Sequence, residues 1–291
     1  MSEQIDNLHA RILYPVTRVR AVDAGGSGVL VYSQPDPKHA GHYINLMVTC
    51  HHVVAKAIKL DEKWDPVLKL RRRVETFNEV TVEVFDYDRS RIVSSNSTQA
   101  DIIAYDETHD LALVKLHNFR EMPHIAHIIP EADIEDLRVF EKVYACGCSL
   151  LHDPFPGEGE LSYLREMIDQ KVYIMSSAPS IFGNSGGGLF RGSSGDLVGI
   201  TSRVTVTNFG GFNLDVQTWM EFSSHPSRFY DFFREQELMF LVDPADDYYS
   251  AMDRREKRQK EALRTLLVGQ GDQAPTVPSP DVPLQDLGPQ D

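Results

Sequence analysis

The sequence predicts an all-β protein with a helical C-terminal part, and three observations carry that prediction. Short β-branched or alternating runs follow one another as far as Met220, polar loops containing Gly or Pro separate them, and helical periodicity appears only after Ser224. Many short strands joined in this way argue for barrels or sandwiches and against βαβ units. No repeat of solenoid period interrupts the pattern.

Taken in order, Gly25-Gly26-Ser27 is a turn ahead of a β-branched run at 28–32. Further strands are expected at 44–50, at 80–84, where Val80, Val82 and Val84 alternate with Thr81 and Glu83, and at 102–105 and 111–116. The same signals return at 139–145, 172–175, 197–201 and 212–220. Pro226 then suits a first helical turn, and Phe229, Phe232, Phe233, Gln236 and Phe240 share one face of a helix that packs on the core. Residues 250–267 are charged and helix-prone, with Ser250 three before Asp253 and Gly269 as a stop. Residues 269–291, rich in Pro, Gln, Asp and Gly, read as a disordered tail.

Composition narrows the function classes. A chain of 291 residues that is 42% hydrophobic can build one large or two ordinary cores. A formal charge of −14 argues against nucleic-acid binding, and the one basic run, Lys69-Leu70-Arg71-Arg72-Arg73, reads as a solvated strand edge or loop. The N-terminus is polar and acidic with no apolar core segment, and nowhere is an apolar run long enough to span a bilayer. Neither export nor a membrane association is expected. Three cysteines, Cys50, Cys146 and Cys148, fit reduced thiols and a cytoplasmic location. Cys146-Gly147-Cys148 lies in an alternating apolar run with no second cysteine pair, and His117, His124 and His127 have no partner cluster at ligand spacing. No metal and no cofactor is expected.

The chemistry lies in three segments. Val48-Thr49-Cys50-His51-His52-Val53-Val54 places two histidines at the end of an apolar strand, and His109-Asp110-Leu111-Ala112-Leu113 places an aspartate at the mouth of another. Gly183-Asn184-Ser185-Gly186-Gly187-Gly188 sets a serine among glycines, where backbone N–H groups and a hydroxyl can converge. A hydroxyl becomes a nucleophile with a base beside it, and an imidazole is oriented by a carboxylate. The chain supplies all three in the order His, Asp, Ser.

These segments resemble the trypsin-like, chymotrypsin-fold serine peptidases, and the HtrA-like branch more than the digestive one. The resemblance runs from about residue 20 to about 222 and includes Gly26-Ser27-Gly28-Val29 and Val198-Gly199-Ile200-Thr201-Ser202. It implies two six-stranded antiparallel β-barrels: an N-terminal one over 1–130 carrying His52 and Asp110, and a C-terminal one over 131–243 carrying Ser185 and followed by a helix. A charged helical segment and Pro-rich tail would complete the chain over 244–291. His52, not His51, would be the base, Asp110 its orienting acid, Ser185 the nucleophile, and the amides of Gly183 and Ser185 the oxyanion hole. Ser202, Arg203 and Val204 would pair with an extended protein or peptide substrate.

Departures from the family pattern add expectations. Asn184 replaces the acid that a freed N-terminus pairs with in digestive relatives, so no zymogen cleavage is expected. Pro179 stands where trypsin-type pockets hold an aspartate, and Ala178, Ile181 and Phe182 favour an apolar or small residue before the scissile bond. Phe182 also replaces a proline common in HtrA-like members. Fewer than fifty residues follow Asp243, too few for the PDZ module of those relatives. The expected activity is that of a serine endopeptidase working through an acyl-enzyme. The alternative is a catalytically silent protein of the same fold that binds extended segments. His51 and His109 are expected to point away from the cleft, as neighbours of His52 and Asp110 along a strand.

Overall fold

The computed structural model describes residues 2–65, 70–209 and 213–271. Helix α1 (Ser2–Leu8) and a π turn (His9–Leu13) lead into β1 (Val16–Ala21), β2 (Ala24–Pro35) and β3 (Tyr43–Thr49). A helical turn α2 (His51–Val54) follows, then a hairpin of β4 (Ile58–Asp65) and β5 (Leu70–Phe77), and then β6 (Val80–Asp88), β7 (Arg91–Asp106) and β8 (Leu111–Leu116). Six of these strands close an antiparallel barrel in the order β1-β2-β3-β8-β7-β6, with the hairpin outside it.

The second barrel contains β9 (Lys142–Gly147), β10 (Phe155–Ile168), β11 (Lys171–Ser176), β12 (Gly188–Arg191), β13 (Leu197–Phe209) and β14 (Asn213–Ser224). Its order is β10-β11-β14-β13-β12-β9. The two-barrel, all-β architecture is therefore the one the sequence predicts. Helices α3 (Ser227–Glu235) and α4 (Tyr248–Gly271) complete it.

Several boundaries differ from expectation. Helix α3 ends at Glu235, and Phe240 packs from a separate 3-10 turn over Met239–Leu241. Gly269 does not stop α4, which continues to Gly271; the rest of the expected disordered tail lies outside the described residues, as do Lys69 of the basic run and Phe212 of the strand expected at 212–220. Strands β1, β10, β12 and the β4–β5 hairpin were not signalled by alternation.

Helix α3 joins the barrels. Phe229, Phe232 and Phe233 are buried in the core shared with the first barrel, while Tyr230 packs in the core of the second and donates its hydroxyl to Ile129 O at 2.8 Å. Each buried phenylalanine contributes about 1.5–3 kcal/mol of apolar burial, so the helix acts as a wedge fixing one barrel against the other.

Strand β14 carries a fully buried carboxyl group, Glu221, which accepts hydrogen bonds from Ser176 Oγ at 2.8 Å and from Ser223 Oγ. Burial raises its pKa to about 7, against the pull of hydroxyl donors from Ser223, Ser176 and Thr201. Between pH 4.5 and about 7 the folded state thus keeps a proton that the unfolded chain releases, so this group's contribution makes stability fall as pH rises through that window. His225 acts the other way: burial first, then the Arg165 charge, lowers its pKa from 6.5 to about 4, so stability rises with pH between those values. Glu221→Gln is expected to raise stability above neutral pH by on the order of 3 kcal/mol. It should also unmask the rise due to His225, which denaturant midpoints measured across this pH range would reveal.

Candidate active site

The register of β3 against β8 brings the first two residues together. Thr49 lies opposite Ala112 and Val48 opposite Leu113, so the residue two before Ala112, Asp110, falls beside the chain leaving β3. That chain turns at once into α2, anchored by buried Val53 and Val54. His51 and His52 are therefore neighbours on a helical turn, not on a strand, which corrects the expected reason for their divergence. His52 Nδ1 is 2.9 Å from Asp110 Oδ2 and 3.1 Å from Oδ1, and the His52 amide donates to Oδ1 at 3.0 Å. His51 instead stacks on Tyr105, with ring centroids 5.2 Å apart. It does not leave the area: it lines a hollow beside the cleft together with His52, Asp110, Lys171 and Arg203.

Asp110 sits in a tight turn with φ of 54°, a left-handed value that aspartate tolerates better than most residues. Asp106 Oδ1 caps this turn by accepting the His109 amide at 2.8 Å. Arg228, buried in α3, donates to His109 O and, at 3.4 Å, to Thr108 O. Ser202 Oγ donates to Asp110 Oδ2 at 2.6 Å. Burial alone would raise the Asp110 pKa, but hydrogen bonds from His52 and Ser202 and the His52 charge lower it to about 2. The carboxylate is ionised and fully engaged.

Ser185 lies in the loop between β11 and β12. Its neighbours are strongly constrained: Gly186 N–H donates to Thr201 O at 2.8 Å, Gly187 N–H to Asn184 O at 2.7 Å, and Asn184 N–H to Ile181 O at 3.1 Å. Gly186 has φ of 88°, and a Cβ there would collide with Ser27 O and Thr49 Oγ1. Asn184 is buried between two hydroxyls, donating to Ser180 Oγ at 3.3 Å and accepting from Ser149 Oγ at 2.6 Å. Among the described residues, the amides of Gly183 and Ser185 donate to no protein acceptor. These are the two donors that the sequence reading assigned to an oxyanion hole.

A cleft of about 500 Å³ joins the parts. His52, Gly183 and Ser185 line it, together with Ile181, Phe182, Ser202, Arg203 and Val204. Ala178 does not: it is fully buried in the core of the second barrel, its backbone pressed against Gly159. Pro179 is exposed. Strand β12 stops pairing with β13 at Ile200, so residues 202–204 present one edge of β13 to the cleft while the other remains paired with β14. Among the described residues, no hydrogen bond joins Ser185 Oγ to His52; catalytic contacts of this kind are often long in a free enzyme and tighten with substrate.

Donor atoms of Cys50, His52 and Asp110 lie within 4.8 Å of one another. The Cys50 thiol is fully buried, which raises its pKa, and it donates to Thr201 O. His117 pairs with Asp101 at 2.8 Å, and His124 packs edge-on against Tyr14.

A family profile for the trypsin-like peptidase domain matches residues 26–200. The chain belongs to the trypsin-like peptidase family. Among solved structures, this chain resembles the HtrA-type protease AlgW with tripeptide, at 17% identity and a TM-score of 0.55. The alignment covers 80% of this chain, and the chain spans 63% of the AlgW chain it matches. The MamO protease domain from Magnetospirillum magneticum aligns at 18% identity and a TM-score of 0.51, over 77% of this chain and 98% of that one. Deg5 aligns at 19% identity and 0.53, over 83% and 95% respectively. These likenesses are of fold. No curated protein matches the sequence. Among the described residues, no helix of this chain is long and apolar enough to cross a membrane.

Residues of this site that sequence reading missed act through others. Arg228 sits in the helix that reads as plain core packing, and Ser149 follows a strand end with no motif of its own. Ser27 lay inside a recognised pattern, as the middle of Gly26-Ser27-Gly28.

Proposed function

We propose that the chain is a serine endopeptidase using Ser185 as nucleophile, His52 as base and Asp110 as orienting carboxylate. The observation that carries this reading is the shared cleft: an imidazole fixed by an ionised Asp110 opens onto the same cavity as Ser185 and two unengaged amides. In the first step Ser185 Oγ bonds to the scissile carbonyl carbon while its proton passes to His52 Nε2. The carbonyl oxygen gains the charge and accepts hydrogen bonds from the Gly183 and Ser185 amides. The C–N bond then breaks, His52 protonates the leaving amine, and water attacks the acyl-enzyme by the same route. Asp110 stays ionised and supports the transient imidazolium.

Protein or peptide segments in extended form are the substrate class this site suits, because the free β13 edge at 202–204 offers backbone pairing. Ile181 and Phe182 on the cleft wall, with no acid at position 179, favour an apolar or small side chain before the scissile bond. Buried, unpaired Cys50, Cys146 and Cys148 fit a reducing, cytoplasm-like compartment.

One observation favours the silent-binder alternative, namely the lack of a hydrogen bond between Ser185 and His52. Labelling with a fluorophosphonate, which reacts only with a base-activated serine, separates the two readings. A single adduct on Ser185, located by mass spectrometry, is the expected result. A folded wild-type protein that takes no adduct would overturn the endopeptidase reading in favour of binding without turnover.

A further inference from the structure

The direction of the two free amides is set by three successive peptide planes in the nucleophile loop. A trans peptide holds its C=O and N–H antiparallel, so pinning a carbonyl aims the amide on the same plane. Phe182 O accepts the Leu150 amide at 2.7 Å, which fixes the Gly183 N–H. Asn184 O accepts the Gly187 amide at 2.7 Å, which fixes the Ser185 N–H. The plane between them carries the Asn184 N–H, which donates to Ile181 O at 3.1 Å within the same loop, and Gly183 O, which accepts Ser27 Oγ at 2.8 Å from outside it.

Ser27 differs from the other two anchors. It is a side chain, and it reaches the loop from β2 of the first barrel, where it is fully buried. Its own position is over-determined: its Oγ accepts the Cys148 amide at 2.7 Å, its amide donates to Ser185 O at 2.8 Å, and its carbonyl accepts Thr49 Oγ1 at 2.7 Å. Gly183, at φ of 97°, has no Cβ to restrain the middle plane. Loss of the Ser27 bond frees the carbonyl side of that plane, and a shift of the Gly183 and Asn184 Cα atoms on which it hinges displaces the flanking planes and their amides.

We infer that Ser27 is a positioning residue for the oxyanion hole, holding the Gly183–Asn184 peptide so that the amides of Gly183 and Ser185 point at one spot in the cleft. This role rests on the proposed acyl chemistry. It also couples the site across the barrel interface: the nucleophile loop of the second barrel is shaped by a hydroxyl of the first.

The test is the rate of fluorophosphonate labelling of Ser27→Ala as a function of pH, beside its thermal midpoint. The phosphonyl oxygen occupies the same hole as a tetrahedral oxyanion. The plateau rate is expected to fall roughly 10- to 100-fold, less than the 10²–10³-fold typical of deleting a donor outright. The midpoint of the pH profile should stay where the wild type has it, since His52 and Asp110 are untouched. A general loosening of the fold would move both. Labelling of Ser27→Ala at the wild-type rate overturns the inference. Should that variant fail to fold, Ser27→Cys keeps the shape but donates weakly, and a wild-type rate there has the same meaning. Absence of labelling in the wild type would instead count against the endopeptidase reading, so the two failures are distinct.

Discussion

Ser185→Ala is expected to lower kcat by roughly 10⁶-fold while leaving the fold in place. The side chain that is lost makes no hydrogen bond among the described residues, whereas the backbone of Ser185 is structural: its carbonyl accepts the Ser27 amide at 2.8 Å. Alanine keeps that bond and the turn around it. The thermal midpoint should therefore stay close to that of the wild type, and labelling by a fluorophosphonate should vanish. Any residual turnover reflects the free amides and substrate binding, which persist without the nucleophile. Hydrolysis by the alanine variant within tenfold of the wild type would show that the chemistry resides elsewhere.

How much of this site could be read from the sequence depends on whether local pattern or long-range register decides it. Val80, Val82 and Val84 alternate because one face of β6 is buried, and that face is visible in the residues themselves. Strand β10 buries a single side chain, Leu161, and exposes charged ones along its length, so nothing in its composition announces a strand. Strand β12 has four residues and begins with Gly188, and it exists because it pairs with both β9 and β13. The order His, Asp, Ser is a local signal, but the meeting of His52 with Asp110 follows from the β3–β8 register. Ala178 looked like a pocket residue because it precedes the nucleophile by a short interval. Its backbone instead meets Gly159 of β10, a contact between elements that sequence spacing does not encode. Arg228 was hidden for the same reason: from helix α3 it reaches Thr108 and His109, in the turn between β7 and β8 of the first barrel.

His52→Ala and His51→Ala should part sharply, although the two residues are adjacent. Removing the His52 ring deletes the proposed base and leaves Asp110, among the described residues, with Ser202 as its side-chain hydrogen-bond donor, so kcat should fall by roughly 10⁶-fold, as for loss of the proposed nucleophile. Removing the His51 ring deletes a stacking contact with Tyr105, worth about 0.5–1.5 kcal/mol of stability, and leaves the Asp110 hydrogen bonds intact. Its effect should appear in the thermal midpoint and not in turnover. Both variants keep Val53 and Val54, whose burial anchors the helical turn, so neither should displace its neighbour. The comparison is decisive because the turn could present either ring to Ser185 after a rotation of about 100°. What fixes the choice is the double grip of Asp110 on His52, through ring and amide together. If His51→Ala were inactive and His52→Ala active, that grip would be structural only and the working imidazole would be the one now stacked on Tyr105.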